Sequence, residues 1–230
     1  MIDMLRESVY FGVAVSIAAY IIGCLIRKKI NNPLVNPLLI AIIITILIVL
    51  GCNIDYNTYY EGAKYLNYLL TPATVALAIP LYEKLELLKK NYKAVLAGIL
   101  SGVLTSALVI LATAFLFGLT HEEYVTFLPK SITTAIGMDL SAEIGGYVTI
   151  TVAVIVITGI FGNIIAETVF KIFRISEPIA KGIALGTSAH AMGTSKAMEL
   201  GETEGAMSGL SVAVAGIITV VVASIFAQIM

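Results

Sequence analysis

Residues 186–210 read GTSAHAMGTSKAMELGETEGAMSGL: Ser, Thr, His, Lys and three Glu, punctuated by five Gly. Hydroxyls, an imidazole, an ammonium and carboxylates so close together suit a site that binds a small charged solute and passes a proton. Residues 130–146, KSITTAIGMDLSAEIGG, hold a second such set. Ala135, Ile136 and Gly137, then Glu143, Ile144 and Gly145, match Ala191, Met192 and Gly193, then Glu199, Leu200 and Gly201. The offset is 56 residues at both places (137 to 193, 143 to 199), and Ser131 falls in register with Thr187. The pattern reads as an internal repeat; chance similarity between Ala- and Gly-rich segments is the competing explanation.

The candidate ligands follow from residue type. A helix starting at each Ser/Thr cluster would aim its free N–H groups and positive dipole end at an anion. Ser131, Thr133 and Thr134 on one side, and Thr187, Ser188 and Thr194 on the other, would donate hydroxyl hydrogen bonds. His190 and Lys196 add donors and charge, so a small organic anion such as a monocarboxylate is the expected partner. His190 competes with a reading as a buried histidine bonded for structure. Asp139, Glu143 and Glu199 are candidates for a coupling ion or proton. Asp139 and Glu143 share a helical face at i,i+4, whereas Glu199 stands at i,i+3 from Lys196 and is open to a plain ion pair. Gly137, Gly193 and Pro72 are the expected helix breaks. His190 with Ser188 is too local a pair for a hydrolase, so no catalytic residues and no enzyme activity are assigned. There is no P-loop and no metal-ligand spacing, so no cofactor or metal is expected.

These polar stretches sit in a strongly apolar chain. Its 230 residues are 59% hydrophobic and 13% charged, with a mean hydropathy of +0.97; an ordinary soluble domain carries about 25% charged residues. Several apolar runs approach the roughly 20 residues that cross a bilayer. Irregular backbone and ionisable groups at that depth are tolerated where protein buries them or a wet cavity receives them. The expected architecture is an all-α polytopic membrane protein, one integral membrane domain over 1–230. Expected spans are 9–26, 38–50, 66–81, 94–117, 148–170 and 207–226. The first is read as a retained anchor, because Arg27, Lys28 and Lys29 follow its apolar core rather than precede it. The third is interrupted by Pro72 and Pro80, with Thr71 and Thr74 placed to satisfy freed backbone groups.

Lys and Arg in short loops mark the cytoplasmic side. They agree on one arrangement only if the repeat copies, about 128–146 and 184–204, dip in and return. That gives about six full spans plus two inverted re-entrant or broken-helix segments, with both termini outside. A net charge of −1 argues against a nucleic-acid partner.

The two stretches above, with PKSITTAIGMDLSAEIGG and LLTPATVALAIPLYEKL, resemble the LrgB/CidB membrane protein family along essentially the whole chain. The resemblance implies a multi-pass protein of a prokaryotic inner (plasma) membrane. It also implies two functions. One is secondary transport of small monocarboxylates, of pyruvate, glycolate or glycerate type and proton-coupled, because bacterial relatives are linked to pyruvate uptake and a plastid relative moves glycolate and glycerate. The other is a holin- or antiholin-like control of murein hydrolases and autolysis. A small LrgA/CidA-type membrane subunit is an implied partner, and a homodimer is expected by analogy. The costly polar groups at membrane depth put transport first.

Overall fold

The computed structural model describes residues 10–30, 35–69, 72, 75–76 and 78–230. Among them every regular element is helical, as an apolar chain with no water to satisfy its backbone requires. Four helices are long and apolar enough to cross a membrane: α1 (Phe11–Lys29), α5 (Leu85–Phe117, apolar over Lys89–Phe117), α8 (Val148–Ile172) and α10 (Glu202–Phe226). Their outer faces carry exposed large apolar side chains such as Leu25, Leu116, Phe161 and Ile217, the reverse of a soluble surface.

The expected second span is α2 (Pro37–Gly51), 15 residues, or about 22 Å at 1.5 Å per residue, short of a ~30 Å hydrocarbon core. The expected third span is described only as a 3-10 turn (Lys64–Leu69), an exposed helical Pro72 and α4 (Ala78–Glu83). Thr71 and Thr74 lie outside the described residues.

The chain forms two compact units, Met1–Ala76 and Leu77–Met230. In the first, α1 packs on α2 and on α3 (Tyr56–Ala63). Asn36 starts α2 by accepting from the Leu38 and Leu39 N–H groups at 2.9 and 3.1 Å, with Pro37 at the first helical position where no N–H is needed. A Cβ on Gly23 would lie 2.4 Å from the Pro37 carbonyl oxygen, so only hydrogen there lets the helices meet.

The second unit holds both polar segments, and each is a helical hairpin. In the first, α6 (His121–Phe127) leads in and α7 (Thr134–Glu143) leads out, both along α8. Thr120 opens α6 with a reciprocal cap, its hydroxyl accepting from Glu123 N–H while the Glu123 carboxylate accepts from Thr120 N–H. The Thr151 hydroxyl donates to the Thr126 carbonyl at 2.9 Å and lies 2.7 Å from Ser141 Oγ. Further along α8, Ile155 abuts Gly137. Positions on α7 thus fall as positions on α8 rise, so the two are antiparallel.

The second hairpin is α9 (Pro178–Leu200), which leaves helical geometry at His190 (φ 43°, ψ −134°). Gly182 and Gly186 of its first half face Met207 and Ser208 of α10. Thr194 and Met198 of its second half face Ser208 and Gly205. Gly193 sits against Leu185, where an added Cβ would be 2.2 Å from the carbonyl oxygen. In a straight helix residues eight apart are about 12 Å apart, so α9 doubles back.

The repeat is therefore structural. Thr126 meets Thr151 as Gly182 meets Met207, and Pro129 meets Gly137 as Leu185 meets Gly193; each residue is shifted by the same 56 positions. The copies are inverted. The second half of α9 runs parallel to α8, through His190–Ile155, Met192–Asn163 and Lys196–Glu167, yet antiparallel to α10. The exchange is reciprocal: Met192 packs on Gly159 of α8, and its counterpart Ile136 packs on Gly216 of α10.

Candidate functional site

A cavity of about 880 Å³ opens between α5 and the first half of α9, at the hairpin tips. On α5 its wall is a stripe at helical spacing, including Ala94, Gly98, Ser101, Gly102, Thr105 and Ser106. The glycines set its width: a Cβ on Gly98 would be 3.2 Å from Ile183, and one on Gly102 3.0 Å from the Thr187 hydroxyl. Lys130 and Ser131 close it from the first tip, Thr187 and Ser188 from the second, and Glu177 and Asn91 also line it.

Of the expected ligand residues, Ser131, Thr187 and Ser188 line this space. Their hydroxyls are not simple donors to it. Thr187 donates to the Ile183 carbonyl at 2.7 Å and Ser188 to the Ala184 carbonyl at 2.6 Å. Ser131 Oγ accepts from the Lys130 ammonium at 2.9 Å and lies 3.4 Å from Ser106 Oγ. Thr133 and Thr134 begin α7 half-buried and are not among the lining residues.

The other expected residues are not among its lining residues. His190 is buried, its Nε2 donating to the Ile155 carbonyl at 3.0 Å, with its ring over Gly159. Asn163 donates to the Met192 carbonyl at 3.1 Å beside the break. Thr194 is 1% exposed and lies 2.9 Å from Ser208 Oγ, pinning α9 to α10. Lys196 is buried between Glu167 Oε1 at 2.7 Å and Glu199 Oε2 at 3.1 Å. Asp139 and Glu143 are exposed on α7.

The expected breaks at Gly137 and Gly193 fall elsewhere: both residues are helical, and the chain reverses at His190 and over 128–133. What the two glycines permit is close packing, onto Ile155 and onto Leu185.

Two residues escape the sequence reading. Glu167 pairs with Lys196. Lys130 lines the main cavity and a neighbouring one of about 240 Å³, which Ser188 also lines. Its position between Pro129 and the Ser/Thr cluster was the available signal. Chemically, the site offers small residues, hydroxyls, one carboxylate at Glu177 and one ammonium at Lys130, and an ammonium is a strong donor to an anionic oxygen.

Comparison with known proteins gives one consistent result. The LrgB-like family model matches residues 16–229. The antiholin-like protein LrgB of Bacillus cereus strain B4264 is 38% identical over 218 residues, covering 94% of this chain and 95% of its own length. The proteins of the same description from Bacillus cereus strain AH187 and Bacillus anthracis strain A0248 match to the same extent. No solved structure matches. By family model and by near-full-length identity, with apolar helices of spanning length, the chain belongs to the LrgB-like family of membrane proteins.

Proposed function

We propose that this chain is an antiholin-like membrane protein that restrains murein hydrolase activity and autolysis from the plasma membrane. The observation that carries this reading is the 38% identity, over 94% of the chain, to proteins described as antiholin-like. It moves to first place the role that the polar segments alone put second. No catalytic step belongs to it; its partners are the lipid bilayer, a small LrgA/CidA-type membrane subunit and a second copy of the chain. The test is expression in a Gram-positive strain lacking its own LrgB-type protein. Restored expression should slow detergent-induced lysis and weaken wall-hydrolase bands in gels, whereas unchanged lysis at normal membrane levels overturns the reading.

A second reading is favoured by the cavity: proton-coupled movement of a small monocarboxylate between the inverted hairpins. An open, hydroxyl-bearing space between inverted broken helices is the arrangement many secondary transporters use, and this one is about 880 Å³ with Lys130 in its wall. Its test is uptake of labelled pyruvate, glycolate and glycerate into proteoliposomes, with and without a pH gradient. Saturable uptake supports it; passage of unrelated dyes at the same rate overturns it.

A further inference from the structure

We propose that Lys130 is the residue of the cavity that holds the anion's negative charge. The proposal rests on the solute-movement reading and moves its centre from His190 and Lys196 to the first hairpin tip. Three observations support it.

The first is pairing. Lys196 is neutralised by two carboxylates, whereas Lys130 takes part in none of the ion pairs found among the described residues, and Ser131 gives its ammonium a neutral partner. A partly buried ammonium without a counter-charge is costly, and a mobile anion removes that cost.

The second is donor supply. Thr187, Ser188 and Ser101 turn their hydroxyl hydrogens back onto their own helices. The Lys130 ammonium has three N–H donors, one of which reaches Ser131, so the others are available to a ligand oxygen.

The third is the repeat. Position 130 corresponds to Gly186, which packs against Ser208. The second hairpin forms with no side chain there, so the skeleton does not call for a lysine. Glu177, the carboxylate in the same wall, stands 11 residues before Ser188, about 16 Å along the helix.

The test is equilibrium dialysis of the detergent-purified full chain against labelled pyruvate. Saturable pyruvate binding should weaken about tenfold or more in Lys130→Met, stay within about threefold in Lys130→Arg, and be unchanged in Lys171→Met, at an exposed site outside the cavity. Should Lys130→Met not fold, amine modification of the wild-type chain, read by peptide mass spectrometry, should slow at Lys130 when pyruvate is present. Pyruvate binding that survives in folded Lys130→Met, or modification that pyruvate leaves unchanged, overturns the assignment alone. Absence of pyruvate binding by the wild-type chain overturns both the assignment and the solute-movement reading.

Discussion

In the first hairpin the chain reverses over residues 128–133, whereas in the second a single residue, His190, carries the reversal. The longer turn leaves Lys130 and Ser131 free to face the cavity. The one-residue turn holds the backbone at a positive φ, and its side chain is committed to the Ile155 carbonyl. Two copies of one skeleton have thus divided the work: the first tip presents polar groups, and the second anchors the fold. Tight packing is divided unequally too. Gly193 faces backbone, at a distance no Cβ tolerates, while the one close neighbour of Gly137 is the end of the Ile155 side chain, with Pro129 at ordinary contact distance.

The largest effect should come from that last contrast. Gly193→Ala drives a methyl into the Leu185 carbonyl and should cost about 3 kcal/mol or more, whereas Gly137→Ala, relieved by a turn of Ile155, should cost about 1 kcal/mol. Thermal unfolding in detergent measures both, and equal losses would break the distinction between the copies. His190→Ala should cost roughly 2–3 kcal/mol through a buried void and a lost hydrogen bond. His190→Gly should recover about 1 kcal/mol of this, because glycine accepts the backbone geometry without strain. A His190→Ala protein of full stability that has lost solute uptake would return His190 to the binding site.

Smaller effects test the pins. Ser141→Ala and Ser208→Ala each remove half of a hydroxyl pair, Ser141–Thr151 and Thr194–Ser208. Each should cost about 1 kcal/mol. Double-mutant cycles with Thr151→Val and Thr194→Val should give couplings of similar size in the two copies.

The smallest effect lies at the outer end of the first hairpin. The charge of Glu122, accepting from the Tyr147 hydroxyl at 3.2 Å, raises the Tyr147 phenol above its ordinary value of 10.0. A raised phenol pKa favours the protonated form in the folded state, so its contribution is present below pH 10 and is lost as pH rises through the folded value. In Glu122→Gln, phenolate absorbance should show this tyrosine titrating closer to 10.

Much of this skeleton was legible in the sequence. The offset of 56 residues appears because both copies keep small residues where helices pack closely, and the spanning helices appear because lipid demands long apolar runs. The position of the second break was hidden. Positive φ is ordinarily a glycine property, and nothing local to His190 announces it; the strain is offset by Ile155, Gly159 and Asn163, 27 to 35 residues earlier. The choice between Lys130 and Lys196 was hidden for a similar reason. Each adjoins a serine, Ser131 after Lys130 and Ser195 before Lys196; the i,i+3 spacing shows Glu199 as one partner of Lys196, but the second, Glu167, is brought there only by the fold.

The meeting of the hairpin tips has an electrical meaning. Lys130 and Ser131 share walls with Thr187 and Ser188, so the two tips meet around one open space. A membrane voltage falls where water is absent, and a unit charge crossing the whole drop exchanges about 2.3 kcal/mol per 100 mV. On the solute-movement reading a charge at these tips stands inside that drop, so moving Lys130, or an anion beside it, along the membrane normal does electrical work.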